Sequence, residues 1–363
     1  MQVVICADVH LDGKNTVTKQ EERDCFLRVI QKVQETQASL LLIAGDLFET
    51  DNVTEETLQF IKQAFSSIPD TYIFISPGNN DAVSPTSSYV QSEWPENVFI
   101  FTGALEAVEL ALPETGEKLR VYGTNYQNAQ TIAKIFAPEN FPELDSDYIN
   151  ILLMHGTPEP TLLNGCGFDF CALGHIHHYS GVVTLEKTAY AYPGACEGRG
   201  FNQDGGILVG TISKGACNLT FIEVATLQYR AVSLDVSSAR SREEILQNIL
   251  QHFTRTQDHY RLTLTGAPGL LVNFSLPQLK ESLSKHYDHM QVRARFSRDA
   301  KQVQPLLSGE LADYAVQEAA VAKETQDAEL TRLALEYALS VCPGSQQTPE
   351  EVFSREEFPG YED

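Results

Sequence analysis

Five short strings carry residue types that hold metal ions: Asp8-Val9-His10, Gly45-Asp46, Pro77-Gly78-Asn79-Asn80-Asp81, His155-Gly156 and Gly174-His175-Ile176-His177. Singly, each is ordinary. Asp-x-His suits a polar strand end, and Gly-Asp or an Asn-rich string suits a turn. Together they supply carboxylates, an amide oxygen and imidazoles in the order Asp-x-His, Asp, Asn, His, His-x-His. The candidate ligands are Asp8, His10, Asp46, Asn79, His155, His175 and His177. A carboxylate has two oxygens, so Asp46 could bridge two cations. Two four-ligand half-sites then result, with positions open to water and substrate. Mixed oxygen and imidazole ligation suits Mn, Fe or Zn. Two such ions about 3.5–4 Å apart can clamp an in-line phosphoryl displacement and lower the pKa of a bridging water.

Each string follows an apolar run of strand length: Val3–Val9, Leu40–Ala44, Tyr72–Ser76, Ile149–Met154 and Phe170–Leu173. Ligands bind at strand ends in open α/β sheets. Alternation along extended chain is expected to put Asp8 beside His10, and His175 beside His177. Gly45 allows a sharp exit from its strand. Helical spacing marks Lys19–Gln34 and Thr54–Phe65. Later short strands, Val98–Phe101, Arg120–Thr124, Gly181–Leu185 and Gly206–Ile212, have few helices between them. The pattern predicts an α/β (α+β) chain with two packed sheets flanked by helices.

Beyond Tyr229 the pattern becomes a small α+β module. Strands Arg230–Val236, Tyr260–Thr265 and Met290–Phe296 alternate with two helices. A capping box of Ser241 and Glu244 opens Arg242–Phe253, and Ser275 with Gln278 caps a helix through Tyr287. Gly309–Val341 has helical spacing and Pro343–Asp363 reads as an acidic tail. The expected divisions are 1–228, 229–300, 301–342 and 343–363.

The chain has 363 residues, room for two domains and a tail. Its net charge of −23 repels a polyanion over most of the surface. A nucleic-acid role must therefore use a local basic patch, metal ions or a basic partner. Lys285, Arg293, Arg295, Arg298 and Lys301 form such a patch, and Arg293, Arg295 and Arg298 are the candidate substrate contacts. Arg293 and Arg295 share one face of their strand. That face reads equally as a phosphate-contacting strip or as the solvated side of an amphipathic strand. No apolar run is long enough to cross a membrane. Seven scattered cysteines without a CxxC, and no leader pattern, point to reduced thiols in the cytoplasm.

In this order the five strings resemble the calcineurin-like metallophosphoesterase superfamily over about the first 210 residues. Asp24, the string Tyr192-Pro193-Gly194-Ala195-Cys196-Glu197-Gly198-Arg199-Gly200-Phe201 and the module after Tyr229 are similar to bacterial DNA repair exonucleases of the SbcD and YhaO type. The resemblance implies a four-layer αββα fold and two Mn ions. It assigns one ion to Asp8, His10, Asp46 and His177, and the other to Asp46, Asn79, His155 and His175. It further implies DNA as substrate, a homodimer, a cap domain over the DNA and a coiled-coil ATPase of the SbcC type. Helix 301–342 would dock on that partner or pack on its own domain. Asn80, Asp46 and His177 are the candidate catalytic residues. The family's third string is Gly-Asn-His-Asp, with its histidine over the scissile phosphate; here Asn80 stands in that place. Asparagine donates a hydrogen bond but carries no proton or positive charge near pH 7. The competing readings are a non-catalytic or weakly catalytic DNA-binding scaffold for the ATPase and a phosphodiesterase for small nucleotides.

Overall fold

The computed structural model describes residues 1–13, 19–113, 115–126, 128, 132, 135–137, 141–201, 203–266 and 275–296. Arg298, Lys301, the expected helix in 301–342 and the acidic tail lie outside the described residues. The chain divides into two compact units, Met1–Tyr229 and a second beginning at Arg230.

The first unit begins with β1 (Gln2–Cys6), β2 (Leu40–Ile43) and β3 (Tyr72–Ile75), which pair in parallel. These strands are apolar at nearly every position, because both of their faces are covered. Val4, Cys6, Leu41 and Ile43 pack against Phe26, Val29 and Val33 of α1 (Lys19–Thr36) and Ile61 and Phe65 of α2 (Glu55–Ser66). Val3, Ile5, Leu40, Leu42 and Phe74 face the other way, onto a second sheet. Each such fully buried side chain stabilises the fold by about 1.5–3 kcal/mol, so the sheet interior is over-determined.

The first sheet is completed by β4 (Val98–Ile100) beside β3, and by β11 (Gly206–Ser213) and β12 (Ala216–Glu223) on the far side of β1. The second sheet has the order β5-β6-β7-β8-β10-β9: β5 (Glu106–Ala111), β6 (Lys118–Gly123), β7 (Ile149–His155), β8 (Phe170–Gly174), β10 (Ala189–Ala191) and β9 (Val183–Thr184). Its inner face meets the first sheet through Leu119, Val121, Ile151, Leu153 and Phe170. Its outer face, with Leu152, Met154, Cys171 and Leu173, packs on Leu163 of a short helix, Pro160–Cys166, and on Phe136. The layers run helix, sheet, sheet, helix, as expected. Carboxyl ends of β1, β2, β3, β7 and β8 carry the five ligand strings.

Several elements differ from expectation. β5 and β12 are missed because alternate positions are exposed and often charged, as in Glu106 and Glu109. The expected strand Gly181–Leu185 shrinks to Val183–Thr184.

In the second unit, β13 (Tyr229–Asp235), β14 (His259–Gly266) and β15 (Met290–Phe296) form one sheet. Tyr260, Leu262, Leu264 and Val292 share a core with Ile245 and Ile249 of Arg242–His252 and with Leu279 and Leu283 of Leu276–Leu283. Ser241 caps the first helix, accepting from Glu244 N at 3.1 Å. The Glu244 carboxylate returns to Arg240 N, one residue before the cap. The second helix stops at Leu283, short of Tyr287, and Ser275 makes no side-chain cap bond. Gln278, expected as its partner, is taken by Arg242. Arg293 and Arg295 are exposed on β15, opposite the buried Val292.

Candidate metal centre

The ligand strings do not continue their strands as extended chain. β1 ends at Cys6, and Asp8 and His10 have φ of 51° and 55°. Asp46 (48°) and His175 (93°) share this left-handed backbone. The expected alternation therefore fails as the means of aiming these side chains. Backbone turning replaces it, held by Asp8 N donating to Gly45 O (3.0 Å) and His10 N to Asp46 O (2.9 Å). Such conformations cost about 1–3 kcal/mol each and persist where surrounding structure fixes them. Gly45 makes the expected sharp exit, at φ 88°. It is also the only residue type that fits there, since a Cβ would fall 2.3 Å from His155 Nδ1.

All seven expected ligands come together. Asp46 Oδ2 lies 3.5 Å from His155 Nε2 and 3.9 Å from His10 Nε2. Asp8 Oδ1 lies 3.3 Å from His177 Nε2 and 4.0 Å from His10 Nε2. Asn79 Oδ1 sits 3.0 Å from both His155 Nε2 and His175 Nδ1. Among the described residues, two groups have ligand atoms within 4.8 Å of one another and could hold an ion: Asp8, His10 and His177, and Asp8, Asp46 and His155. Asp8 thus reaches both groups, while Asp46 Oδ2 faces a histidine of each.

The donor set fits a cation on physical grounds. His155 Nδ1 must donate to the carbonyl of Ala44 at 2.9 Å, which leaves Nε2 a bare lone pair. That lone pair faces the Asn79 carbonyl oxygen, acceptor against acceptor. His10 repeats the pattern, with Nδ1 3.0 Å from Glu49 Oε2 and Nε2 turned inward. Asp8 Oδ1 is buried and accepts no hydrogen bond. Positive charge between these atoms resolves every conflict.

Burial and neighbouring charge also shape how the cluster titrates. Burial lowers His10 to about 4, so its ring is neutral and able to ligate. Burial, reinforced by the Asp81 carboxylate, pushes Asp46 up to about 8. The Asp8 carboxylate beside it raises His177. Asp81 is no ligand: it is buried and accepts from Gly78 N (2.6 Å), Phe48 N (3.1 Å) and Tyr89 OH (2.7 Å), fixing the third string as a loop.

Asn80 lies at the edge of this cluster. Its N–H donates to Asp46 Oδ1 at 2.9 Å, and its Nδ2 is 3.2 Å from His10 Nδ1. Glu49 and Asn80 ask opposite tautomers of that nitrogen. The closer acceptor, Glu49, takes the proton, which leaves the Asn80 amide N–H groups for another acceptor.

Residue types alone did not single out Glu49, Gln203 or Glu22. Gln203 Nε2 lies 3.2 Å from His177 Nδ1, and Gly13 N donates to Glu22 Oε2 at 3.2 Å. The string Tyr192–Phe201 was the available signal. Within it, Tyr192 OH donates to Gly156 O, Glu197 accepts from Thr226 and Leu227 N–H groups, and Arg199 reaches the His10 carbonyl.

This sandwich, with its acceptor-lined loops at one end, is similar to the calcineurin-like metallophosphoesterase class. The family model described as calcineurin-like phosphoesterase matches residues 1–179, and the family binds divalent metal ions. An uncharacterized metallophosphoesterase, YhaO of Bacillus subtilis (strain 168), is 25% identical over 323 residues, 80% of this chain and 78% of YhaO. The DNA double-strand break repair protein Mre11 of Methanopyrus kandleri is 23% identical over 283 residues, 69% of this chain and 62% of Mre11. Among solved structures, TT1561 of Thermus thermophilus aligns with a TM-score of 0.41 and 11% identity, covering 61% of this chain and 98% of that one. No helix among the described residues is long and apolar enough to cross a membrane, and the six described cysteines are free thiols.

Proposed function

We propose that this chain is a two-metal phosphodiesterase acting on DNA ends. Asp8, His10, Asp46 and His177 would hold one ion and Asp46, Asn79, His155 and His175 the other. The observation that carries the reading is the acceptor-against-acceptor geometry at two places, His10–Asp8 and His155–Asn79, with Asp46 Oδ2 between them. When bound, two divalent ions, most simply Mn, supply a clamp for phosphate oxygens and an acidified water. The chain's own residues do the rest. His10 stays neutral because it is buried, and Nδ1 donation from His10 to Glu49 and from His155 to Ala44 O turns each Nε2 inward. The Asn80 amide is placed to donate a hydrogen bond to a phosphate oxygen but has no proton to give a departing alkoxide. Likeness to Mre11 supports DNA as the substrate. The exposed Arg293 and Arg295 support it as contacts to phosphates, with Arg298 the third of the set. A homodimer and a coiled-coil ATPase partner of the SbcC type belong to the same reading and rest on the resemblance.

A second reading, a non-catalytic or weakly catalytic DNA-binding scaffold, rests on Asn80 alone. One experiment separates the two: metal content, and hydrolysis of labelled linear DNA beside bis-p-nitrophenyl phosphate, with Mn, for wild type and Asp46→Ala. The enzyme reading expects two bound ions and cleavage of both substrates, lost together in Asp46→Ala. Two ions retained in Asp46→Ala would refute the ligand assignment. Bound ions with DNA retention but no cleavage would make the scaffold the correct reading.

A further inference from the structure

One guanidinium outside the ligand set restrains a proposed ligand in two independent ways. The Arg199 side chain is only 9% exposed. Its Nη2 donates to the His10 carbonyl at 2.8 Å and to Glu22 Oε1 at 2.8 Å. Its Nη1 lies 3.3 Å from Glu49 Oε2, the same oxygen that stands 3.0 Å from His10 Nδ1. Arg199 therefore holds His10 by its backbone directly, and by its ring through Glu49. The backbone hold matters because His10 sits at φ 55°, a conformation that a β-region alternative would relieve by swinging the ring away. The ring hold matters because a proton fixed on Nδ1 keeps Nε2 available as a lone pair. Carboxylates that accept from the outer nitrogen of a ligating histidine typically contribute about 10–100-fold to metal affinity. The arrangement is tight: a Cβ at Gly13 would lie 2.5 Å from Glu22 Oε1 and 2.7 Å from Arg199 Nη2. Glu22, fully buried at its carboxylate, anchors the far side of the guanidinium.

We propose that Glu49 and Arg199 are positioning residues for the ion held by Asp8, His10, Asp46 and His177, with Glu49 fixing the His10 ring and Arg199 fixing both Glu49 and the His10 backbone. This rests on the two-metal reading above and goes beyond it by making the two half-sites unequal. The ion nearer His155 depends on Ala44 O, a backbone acceptor that no side-chain change removes. The ion nearer His10 depends on side chains contributed from Glu49 and Arg199.

The test is stepwise Mn binding by calorimetry on metal-stripped full-length protein, with Co2+-substituted absorption spectra as a second readout. Wild type, Glu49→Ala, Glu49→Gln and Arg199→Met are compared, along with the melting temperature of each metal-free protein. The expected result is two Mn steps in wild type and about 10–100-fold weakening of one step in Glu49→Ala and Arg199→Met. The other step stays within about threefold, and the Co2+ spectrum changes for one ion only. Glu49→Gln, whose amide oxygen still accepts from Nδ1–H, should recover most of the affinity. Two wild-type Mn steps in Glu49→Ala would overturn this inference and leave the two-metal reading standing. Equal weakening of both steps, tracking a fall in metal-free melting temperature, would also overturn it, since that marks a general structural role. A wild-type protein that binds no divalent ion would overturn both readings.

Discussion

At residue 80 the proposed reading makes a specific chemical prediction. The Asn80 side chain is within reach of the cluster but is not a ligand, and it cannot carry a proton. Asn80→His should raise DNA hydrolysis by at least about tenfold, the low side of what a general acid contributes. The gain should be smaller on p-nitrophenyl esters, whose leaving group needs little protonation, and metal content should not change. Equal gains on both would show better positioning, and no gain would place the deficit elsewhere. Glu22 offers a prediction in pH. Burial raises it from an ordinary glutamate value to about 6, against the pull of Arg199. A carboxyl raised by folding contributes stability below its unfolded pKa of 4.5, and that contribution is lost as pH rises through about 6. Metal-free wild type should therefore lose melting temperature relative to Glu22→Gln between pH 4.5 and pH 7, by about 2–4 °C. A difference that stays flat across that window would mean that Glu22 titrates normally.

At the scale of elements, glycines at strand ends let three loops approach closely enough to share ions. Gly78 is one such case, since a Cβ there would lie 2.1 Å from Asp46 Oδ1 and 2.6 Å from Asp46 N. Gly78→Ala should displace Asp46 and abolish binding of at least one ion, with far-UV circular dichroism unchanged; normal binding of both would contradict the packing described. These loops also show what was legible from sequence. All seven candidate ligands could be picked out because metal chemistry restricts residue types and because apolar runs announce buried parallel strands. How they are aimed could not be read. Left-handed φ at Asp8, His10, Asp46 and His175 is set by neighbouring loops, not by local sequence. Glu49 was illegible as a site residue for a related reason: a carboxylate in a loop has no period or spacing that announces a partner 150 positions away, and only the string Tyr192–Phe201 drew attention to Arg199. Edge strands such as β5 escaped because they are half solvated and carry glutamates where apolar alternation would otherwise show.

For the whole molecule, charge is the controlling quantity. On the proposed reading, a chain of net charge −23 could hold DNA only through ions and local cations. Arg293 and Arg295 are exposed side by side on β15, so Arg293→Ala with Arg295→Ala should weaken DNA binding evenly across sequences. The salt dependence should fall by about two phosphate contacts, while bis-p-nitrophenyl phosphate hydrolysis stays at the wild-type rate. Unchanged affinity and salt slope would assign the strip to solvent. The sheet order has a separate consequence, for synthesis on the ribosome. β1 is an interior strand whose neighbour on one side is β11, in a register that pairs Val3 with Gly210 and Ile5 with Leu208. At about 5–20 residues per second, that neighbour emerges on the order of 10–40 s after β1. For that interval the nascent chain presents an apolar strand with one open edge, which invites pairing with other chains. Arg199, which holds His10 in place, emerges only just before β11. On the two-metal reading, the half-site that Arg199 supports is therefore complete only near the end of the unit's translation, just before β11 can close the sheet.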